Sequence, residues 1–222
     1  MILLTRGEFI MIKFFKSNEN SSYTEIDRNE IVLDIEYQFG ECMTILHEIV
    51  SDDLHIDIAV VPPTDNMDFY KLFTVGMGSK EMNIPRELKR QKLQRAELAM
   101  FISKDWIINT DDIKHHWSIQ LLKTIAHMPF NQNTWIGEED TIELSNAENF
   151  GGFSGALLLS LQSGRDAIIL NSGKHLNFYL TIPLFKEEML YKNQNGYNEL
   201  LDLFDNNGIT PINDFKRKNC CI

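Results

Sequence analysis

Alternating apolar and polar residues predict β-strands through the middle of the chain. In residues 54–60 every second side chain is apolar, and His55 and Asp57 lie between them, which is the two-residue period of a strand with one buried face. Pro62 and Pro63 follow this segment and end it. Further strands are predicted for the apolar segments 43–50, 69–75, 95–102, 153–161, 167–170 and 176–182.

A spacing of three to four residues between apolar side chains predicts helices on either side of these strands. The first has apolar side chains at positions 31, 35 and 39, begins at a cap formed by Asp27 or Asn29, and ends at Gly40. The second covers residues 117–127 and is terminated by Pro129. The same spacing predicts two late helices, over 186–192 and 197–204.

The order of these elements indicates the fold class. Strands and helices occur in blocks rather than in strict alternation, which favours an α+β fold: a single domain with a mixed, largely antiparallel sheet flanked by helices. A length of 222 residues fits one large domain. We expect a loose N-terminal lead-in over residues 1–24, the domain over 25–208, and a C-terminal tail over 209–222.

The charge of the chain restricts its partners. The sequence has 21 Lys and Arg against 32 Asp and Glu, for a formal net charge of −11. An acidic surface repels nucleic acid and anionic lipid and attracts basic proteins, so neither nucleic acid nor a membrane is an expected partner. No segment approaches the roughly 20 apolar residues of a membrane span. Residues 1–4 are too short for a signal-peptide core, so we expect a cytoplasmic protein.

The cysteines do not indicate a disulfide framework. There are three, Cys42, Cys220 and Cys221, and an odd count with an adjacent pair at the end favours free thiols. A prenylation signal requires cysteine four residues from the end, where Asn219 stands. The sequence therefore predicts a frayed tail with free thiols.

Two glycine-rich segments fail as catalytic or nucleotide-binding motifs. Residues 76–80 suggest a phosphate loop, but the glycine spacing is wrong and Glu81 follows Lys80 where Ser or Thr is needed. Residues 152–156 approximate the elbow that presents a nucleophilic serine, but the predicted element after them is a strand rather than a helix. A glycine-rich hairpin or loop is the better interpretation of the second segment.

Metal-ligand spacing is absent from the sequence. There is no His-x-x-x-His or Cys-x-x-Cys pair, and His47, His127 and His175 are isolated along the chain. The acidic residues between positions 52 and 65 lack the ligand order of a calcium loop and are typical of a solvated turn. We expect neither a metal ion nor a cofactor.

Two pairs of ionisable residues remain as candidates for chemistry. His55 and Asp57 share one face of a predicted strand, and Arg95 and Glu97 share one face of another. If the two strands were neighbours, four ionisable groups would converge on one sheet face, as an active site or as an internal ion-pair network. No activated nucleophile stands beside them in the sequence.

Several segments together resemble the suppressor-of-fused domain family. They occur in the family's order and approximate spacing over about residues 30–205. The segments are His55-Ile56-Asp57-Ile58, Pro62-Pro63-Thr64, the run from Leu72 to Asn83, Arg95-Ala96-Glu97-Leu98, Trp106, Trp117 to Leu122, and Thr181-Ile182-Pro183-Leu184 with Glu188.

The resemblance implies a single mixed α/β domain that binds a protein rather than turning over a substrate. Animal members restrain a signalling transcription factor by gripping a peptide between this domain and a second one, and that grip is not carried over to a chain with one such domain. Short bacterial members resemble immunity proteins that neutralise a polymorphic toxin.

These observations together give the functional hypothesis. We expect a non-enzymatic protein-binding module of the suppressor-of-fused type, an immunity protein whose acidic surface occludes a basic toxin domain. The alternative is an enzyme or small-ligand-binding protein that uses the His55, Asp57, Arg95 and Glu97 face. Among the residues that mark the family, Thr74, Gly76 and Met77 are expected to shape a bend after a strand, Gly76 because a Cβ is forbidden there.

Overall fold

The computed structural model describes residues 23–48, 54–108, 116–161, 166–214 and 216–222. The first 22 residues of the predicted lead-in and the end of the predicted strand at 49–50 lie outside these ranges. No helix in the described ranges is both long and apolar enough to cross a membrane.

Four α-helices occur in the described residues. Their bounds are α1 Glu25–Phe39, α2 Trp117–Asn131, α3 Lys186–Asn195 and α4 Tyr197–Asn206. Short 3-10 turns cover Met77–Ser79, Arg86–Gln91 and Ala147–Phe150. All four helices lie where apolar spacing predicts them.

The strands of the described residues form one sheet. They are β1 Thr44–Leu46, β2 Asp57–Val61, β3 Phe69–Val75, β4 Ala96–Ser103, β5 Thr141–Glu143, β6 Gly155–Ser160, β7 Ala167–Ile169, β8 His175–Leu184 and β9 Ile212–Asn213. The main order is β1-β2-β3-β4-β8-β6-β5, with β7 beside β8 and β9 beside β4. Among the described strands only the β4–β8 and β4–β9 pairs are parallel, so the predicted mixed, largely antiparallel sheet is confirmed.

Helices cover both faces of this sheet. One face packs on α2 through Trp117 and Leu121, and its strand side chains include Ile58 and Leu98. The other face packs on α1, α3 and α4, whose buried side chains include Ile31. Because both faces are covered, every residue of β2 is buried, although the sequence alternates as if one side faced water.

Two predicted helix boundaries are wrong. Thr24, rather than Asp27 or Asn29, is the N-cap of α1, and Asp27 is the third helical residue of a capping box. Pro129 does not terminate α2, which continues to Asn131. Proline costs the helix one hydrogen bond, but Pro129 is buried in the last turn of α2 and the helix continues for two residues beyond it.

The glycine-rich segment before β6 is a loop, as its sequence indicates. Gly151 and Gly152 both have positive φ, and the chain then enters β6 at Gly155. Ser154 precedes this strand, and its backbone N–H donates to the Leu184 carbonyl. The strand–serine–helix arrangement of a nucleophile elbow is therefore absent at this segment.

The C-terminal tail is docked rather than frayed. Arg217 forms a two-bond ion pair with the buried Glu188, with Nη1–Oε1 at 2.6 Å and Nη2–Oε2 at 2.7 Å. Its guanidinium also lies over the Phe153, Phe185 and Phe204 rings. The expectation of a frayed tail is wrong, because a buried carboxylate supplies a partner that composition does not reveal. The three cysteines are free, as expected.

Candidate functional site

Strand β3 separates the two strands that carry the candidate residues. Asp57 opens β2 and Glu97 lies in β4, and both of these strands pair with β3. The strand adjacency that would gather all four ionisable groups is therefore not met. Instead, the structure forms two carboxylate clusters, one around Asp57 and one around Glu97.

The Asp57 cluster brings together the first residue of β2, residues just after β1 and just before β2, and a residue of α1. His55 Nε2 lies 2.8 Å and His47 Nδ1 lies 3.3 Å from Asp57 Oδ1. The backbone N–H of Glu48 donates to the same oxygen at 3.1 Å. Arg28 Nη1 lies 3.5 Å from Asp57 Oδ2. A buried carboxylate is thus held between an arginine on its inner side and two histidines on its outer side.

The pairing of β1 with β2 explains why His47 meets Asp57. Leu46, the last residue of β1, pairs with Ile58 in an antiparallel register, so the following residue, His47, comes opposite Asp57. His55 lies two residues before Asp57 and points to the same side. Both imidazoles are a little under half exposed, whereas the Asp57 side chain is only 5% exposed.

Glu48 connects the Asp57 cluster to helix α2. Its Oε2 accepts a hydrogen bond of 2.9 Å from the Ile56 backbone N–H. Its Oε1 lies 3.2 Å from His127 Nε2 and 3.8 Å from Lys123 Nζ. Burial lowers the pKa of Lys123, and the nearby carboxylates of Glu48 and Asp57 oppose that shift.

The Glu97 carboxylate is completely buried and collects five hydrogen bonds. Tyr23 Oη donates to Oε1 at 2.9 Å, and Thr74 Oγ1 donates to Oε2 at 2.5 Å. The three remaining donors are consecutive backbone N–H groups of Gly76, Met77 and Gly78, at 2.9, 3.3 and 3.1 Å. Thr74 Oγ1 itself accepts from the Leu98 N–H, so its own proton is directed at Glu97.

The loop after β3 is therefore an anion-binding turn whose anion is internal. Three successive N–H groups that converge on one point form a concave donor surface that phosphate-binding loops also use. Here Glu97 fills it from the neighbouring strand. Glycine spacing argues against a phosphate loop at residues 76–80, and the occupied donors give a structural reason for the same conclusion.

Two glycines make this turn possible. Gly76 has φ +141°, and a Cβ there would lie 2.1 Å from the His55 carbonyl oxygen. A Cβ on Gly78 would lie 2.2 Å from Tyr23 Oη, the hydroxyl that donates to Glu97. The backbone must pass this close to its neighbours for its N–H groups to reach the carboxylate.

Burial dominates the electrostatics of the Glu97 cluster. It raises the pKa of Glu97 above its ordinary value, and the hydrogen bonds from Thr74, the turn and Tyr23 lower it in part. Burial, followed by the charge of Glu97, raises the pKa of Tyr23 well above 10. Arg95 lies on the other side of the turn, where Nη1 donates to the Gly78 and Ser79 carbonyls at 2.8 and 2.7 Å. The turn is thus held by a carboxylate on its N–H side and a guanidinium on its C=O side.

A comparison of the sequence with models of protein families identifies the family of this chain. The model of the suppressor of fused protein matches residues 52–218, well over half of the chain. The chain belongs to the suppressor-of-fused family. The comparison with curated proteins gives no match.

Solved structures share the suppressor-of-fused fold with this chain. A suppressor-of-fused homolog from Neisseria gonorrhoeae has a TM-score of 0.56 and 16% identity, and the match covers 87% of this chain and 97% of that one. The Sufu–Fu complex has a TM-score of 0.56 and 12% identity, with 79% of this chain and 82% of that one covered. At these identities the likeness establishes the fold alone.

The enzyme alternative fits the Glu97 cluster and the Asp57 cluster to different degrees. Glu97 is enclosed by protein donors and has no exposed surface, so it is not positioned to meet a substrate. A cleft of about 530 Å³ is lined by residues between 207 and 222 and by none of the four candidate residues. The Asp57 cluster differs, because His47 and His55 are both accessible to solvent.

Sequence reasoning missed Tyr23, Arg28 and His47. Tyr23 reaches Glu97 across 74 positions, and Arg28 reaches Asp57 across 29, so neither pair leaves a local signal. The proximity of His47 to Asp57, in contrast, could have been predicted from the sequence. The strands predicted over 43–50 and 54–60 follow each other closely along the chain, and antiparallel pairing between them would place His47 near Asp57.

Proposed function

We propose that this chain is a non-enzymatic protein-binding module, an immunity protein that neutralises a cognate bacterial toxin in the cytoplasm by covering its active face. Membership of the suppressor-of-fused family carries the proposal. One relative of the same fold was solved as a complex of Sufu with Fu, so this fold is found bound to a protein.

The net charge of −11 supports a basic partner. Toxin domains that attack nucleic acid carry basic surfaces, because they must bind a phosphate backbone. Complementary charge accelerates the encounter of two proteins and has less effect on their dissociation. An acidic inhibitor would therefore capture such a toxin quickly, which an immunity protein requires.

The outer face of α1 is the contact surface we propose for this toxin. Ile26, Leu33 and Tyr37 are 67%, 63% and 81% exposed and lie along one side of the helix. The exposed Glu25 and Glu41 stand near the two ends of α1. Apolar side chains flanked by acidic groups are suited to a partner whose own apolar patch is rimmed by Lys and Arg.

Capture from the native host at moderate salt, followed by a protection assay, tests the proposal. We expect one basic protein at near-equal stoichiometry, toxic when expressed alone and harmless when expressed with this chain. Its association rate should fall steeply with added salt while its dissociation rate changes much less. Capture of a partner whose toxicity is unchanged by this chain, or a salt-independent association rate, would refute the proposal.

A pair of substitutions tests the contact surface. Leu33→Asp should weaken binding of the captured toxin by at least about tenfold, because it places a charge in the centre of an apolar contact. Leu190→Asp is the matched control, since Leu190 is 51% exposed on a different helix, α3. Equal affinities of the two variants would exclude the outer face of α1 as the contact surface.

A further inference from the structure

We propose that His47, His55 and Asp57 form a binding site for a divalent transition-metal ion such as zinc. One ligating atom from each residue lies within 4.8 Å of the other two. The sequence predicts no metal site, because His47 is isolated along the chain. In the structure, the pairing of β1 with β2 brings His47 close to His55 and Asp57.

The distances suit one shared ion. Ligands at about 2.0–2.1 Å from a tetrahedral zinc ion are separated by about 3.3 Å. His47 Nδ1 and Asp57 Oδ1 are 3.3 Å apart, and His55 Nε2 and Asp57 Oδ1 are 2.8 Å apart. The two imidazoles are partly exposed, so small rotations of their side chains bring all three atoms to coordination distance.

The ligand set selects the class of metal. Two imidazole nitrogens and one carboxylate oxygen favour zinc, cobalt or nickel over calcium and magnesium, which prefer oxygen ligands alone. Three protein ligands leave a fourth position for water or for a group from a partner. The half-exposed histidines give an ion access to the site from solvent.

The carboxylate is oriented by the protein before any ion arrives. The Glu48 N–H holds Oδ1 from the backbone at 3.1 Å, and Arg28 lies beside Oδ2 at 3.5 Å. Such contacts behind a metal ligand fix its direction. Arg28 and the nearby Lys123 are cations, so we expect weaker binding than at a four-ligand structural zinc site.

Cobalt and zinc titrations of the protein without a polyhistidine tag test the site. We expect one equivalent of Co²⁺ to develop visible absorption typical of nitrogen and oxygen ligands, and Zn²⁺ to displace it. His47→Gln and His55→Gln should each weaken Zn²⁺ binding by at least about tenfold, measured by calorimetry. Both side chains are partly exposed, so the variants should keep the wild-type circular dichroism spectrum and melting temperature.

Two controls separate this site from other metal ligands. His127→Gln removes a nearby histidine that faces Glu48 rather than Asp57, and it should leave the Zn²⁺ affinity unchanged. A Cys220→Ser/Cys221→Ser variant removes the adjacent thiols and should also bind normally. Wild-type affinity in a His47→Gln/His55→Gln double variant overturns the proposal. An equal loss in His127→Gln, or thiolate-to-cobalt absorption that disappears with the cysteines, overturns it as well.

Discussion

Glu97 is a buried carboxylate whose five hydrogen-bond donors include no cationic side chain. Glu97 is stabilised by five donors, three of them from the backbone of residues 76–78. Hydrogen bonds to a charged acceptor are individually stronger than neutral ones, so a complete set of donors offsets much of the cost of burying the charge. The turn and the carboxylate therefore stabilise each other.

Gly76→Ala tests this dependence at a single residue. The new methyl group would meet the His55 carbonyl oxygen at 2.1 Å in a backbone with φ +141°, so the turn must move. We expect a loss of roughly 2–4 kcal/mol in the free energy of unfolding, measured by chemical denaturation.

Gly173→Ala is the matched control for this substitution. Gly173 also has a positive φ, +82°, but no atom lies within 4 Å of the position that a Cβ would take there. Backbone strain alone should cost about 1 kcal/mol at this residue. Equal destabilisation of the two variants would show that the close approach to His55 does not matter.

Residue patterns predicted the members of the two clusters better than their arrangement. His55, Asp57, Thr74, Gly76 and Glu97 could be singled out from alternation and from the family resemblance. Their division into two sites depends on β3 lying between β2 and β4, which is a property of sheet order rather than of any one segment. The donors Tyr23 and Arg28 could not be predicted either, because each lies far along the chain from the carboxylate that it contacts.

At the scale of elements, the Asp27 carboxylate fixes the start of helix α1 to the turn before β8. Asp27 Oδ2 accepts from the Thr24 N–H at 2.9 Å and from Lys174 Nζ at 2.7 Å, and Oδ1 accepts from Ser172. Burial acts to raise the pKa of Asp27, but the hydrogen bonds from Lys174, Ser172 and Thr24 outweigh it and lower the pKa to about 2. The same side chain thus caps α1 and ties it to the turn before β8.

Stability should therefore depend on the charge of Asp27 in acid. A carboxyl whose pKa falls from 3.8 to about 2 on folding stabilises the protein above pH 3.8, and loses that contribution as the pH falls through about 2. Between pH 5 and pH 2, we expect wild type to lose about 1–2 kcal/mol more than Asp27→Asn, which keeps an acceptor for the cap. Urea denaturation at a series of pH values measures this difference.

Glu25→Gln provides the comparison for Asp27→Asn. Glu25 is an exposed carboxylate in the same first turn of α1, without the Lys174 contact. Its substitution should change the acid dependence of unfolding much less. If the two variants gave the same curve, the contribution assigned to Asp27 would belong to the general charge of the helix end.

Elements were predictable where local pattern decides them. Strand β3 begins and ends at the predicted residues, because Gly76 breaks the strand there. The short strands β5 and β9 were not predicted, since each consists of two or three residues that pair only because a neighbouring strand edge is available. The end of α2 was predicted too early, because tertiary packing around Pro129 overrides its local effect.

At the scale of the whole molecule, the C-terminal tail connects parts that are distant in sequence. Arg217 binds Glu188 of α3, donates to the Pro183 carbonyl of β8 at 2.9 Å, and covers aromatic rings that precede β6 and end α4. The guanidinium side chain is 7% exposed and the Glu188 side chain 0%. An ion pair this deeply buried holds the end of the chain against the domain.

Arg217→Ala should destabilise the whole domain rather than release a tail. It leaves the Glu188 carboxylate buried without its cation, which costs about 3–5 kcal/mol in comparable pairs. Thermal and urea unfolding should show one cooperative transition shifted to lower stability. Lys218→Ala, a substitution at an exposed neighbour, should unfold like wild type.

A double variant separates the charge of this ion pair from its packing. Arg217→Met/Glu188→Gln removes both charges and should recover most of the stability lost in Arg217→Ala, because no unpaired ion remains buried. A double variant as unstable as Arg217→Ala would mean that the contacts of the guanidinium with the aromatic rings, rather than its charge, hold the tail. If Arg217→Ala unfolded at the same urea concentration as Lys218→Ala, the tail would contribute nothing to the stability of the fold.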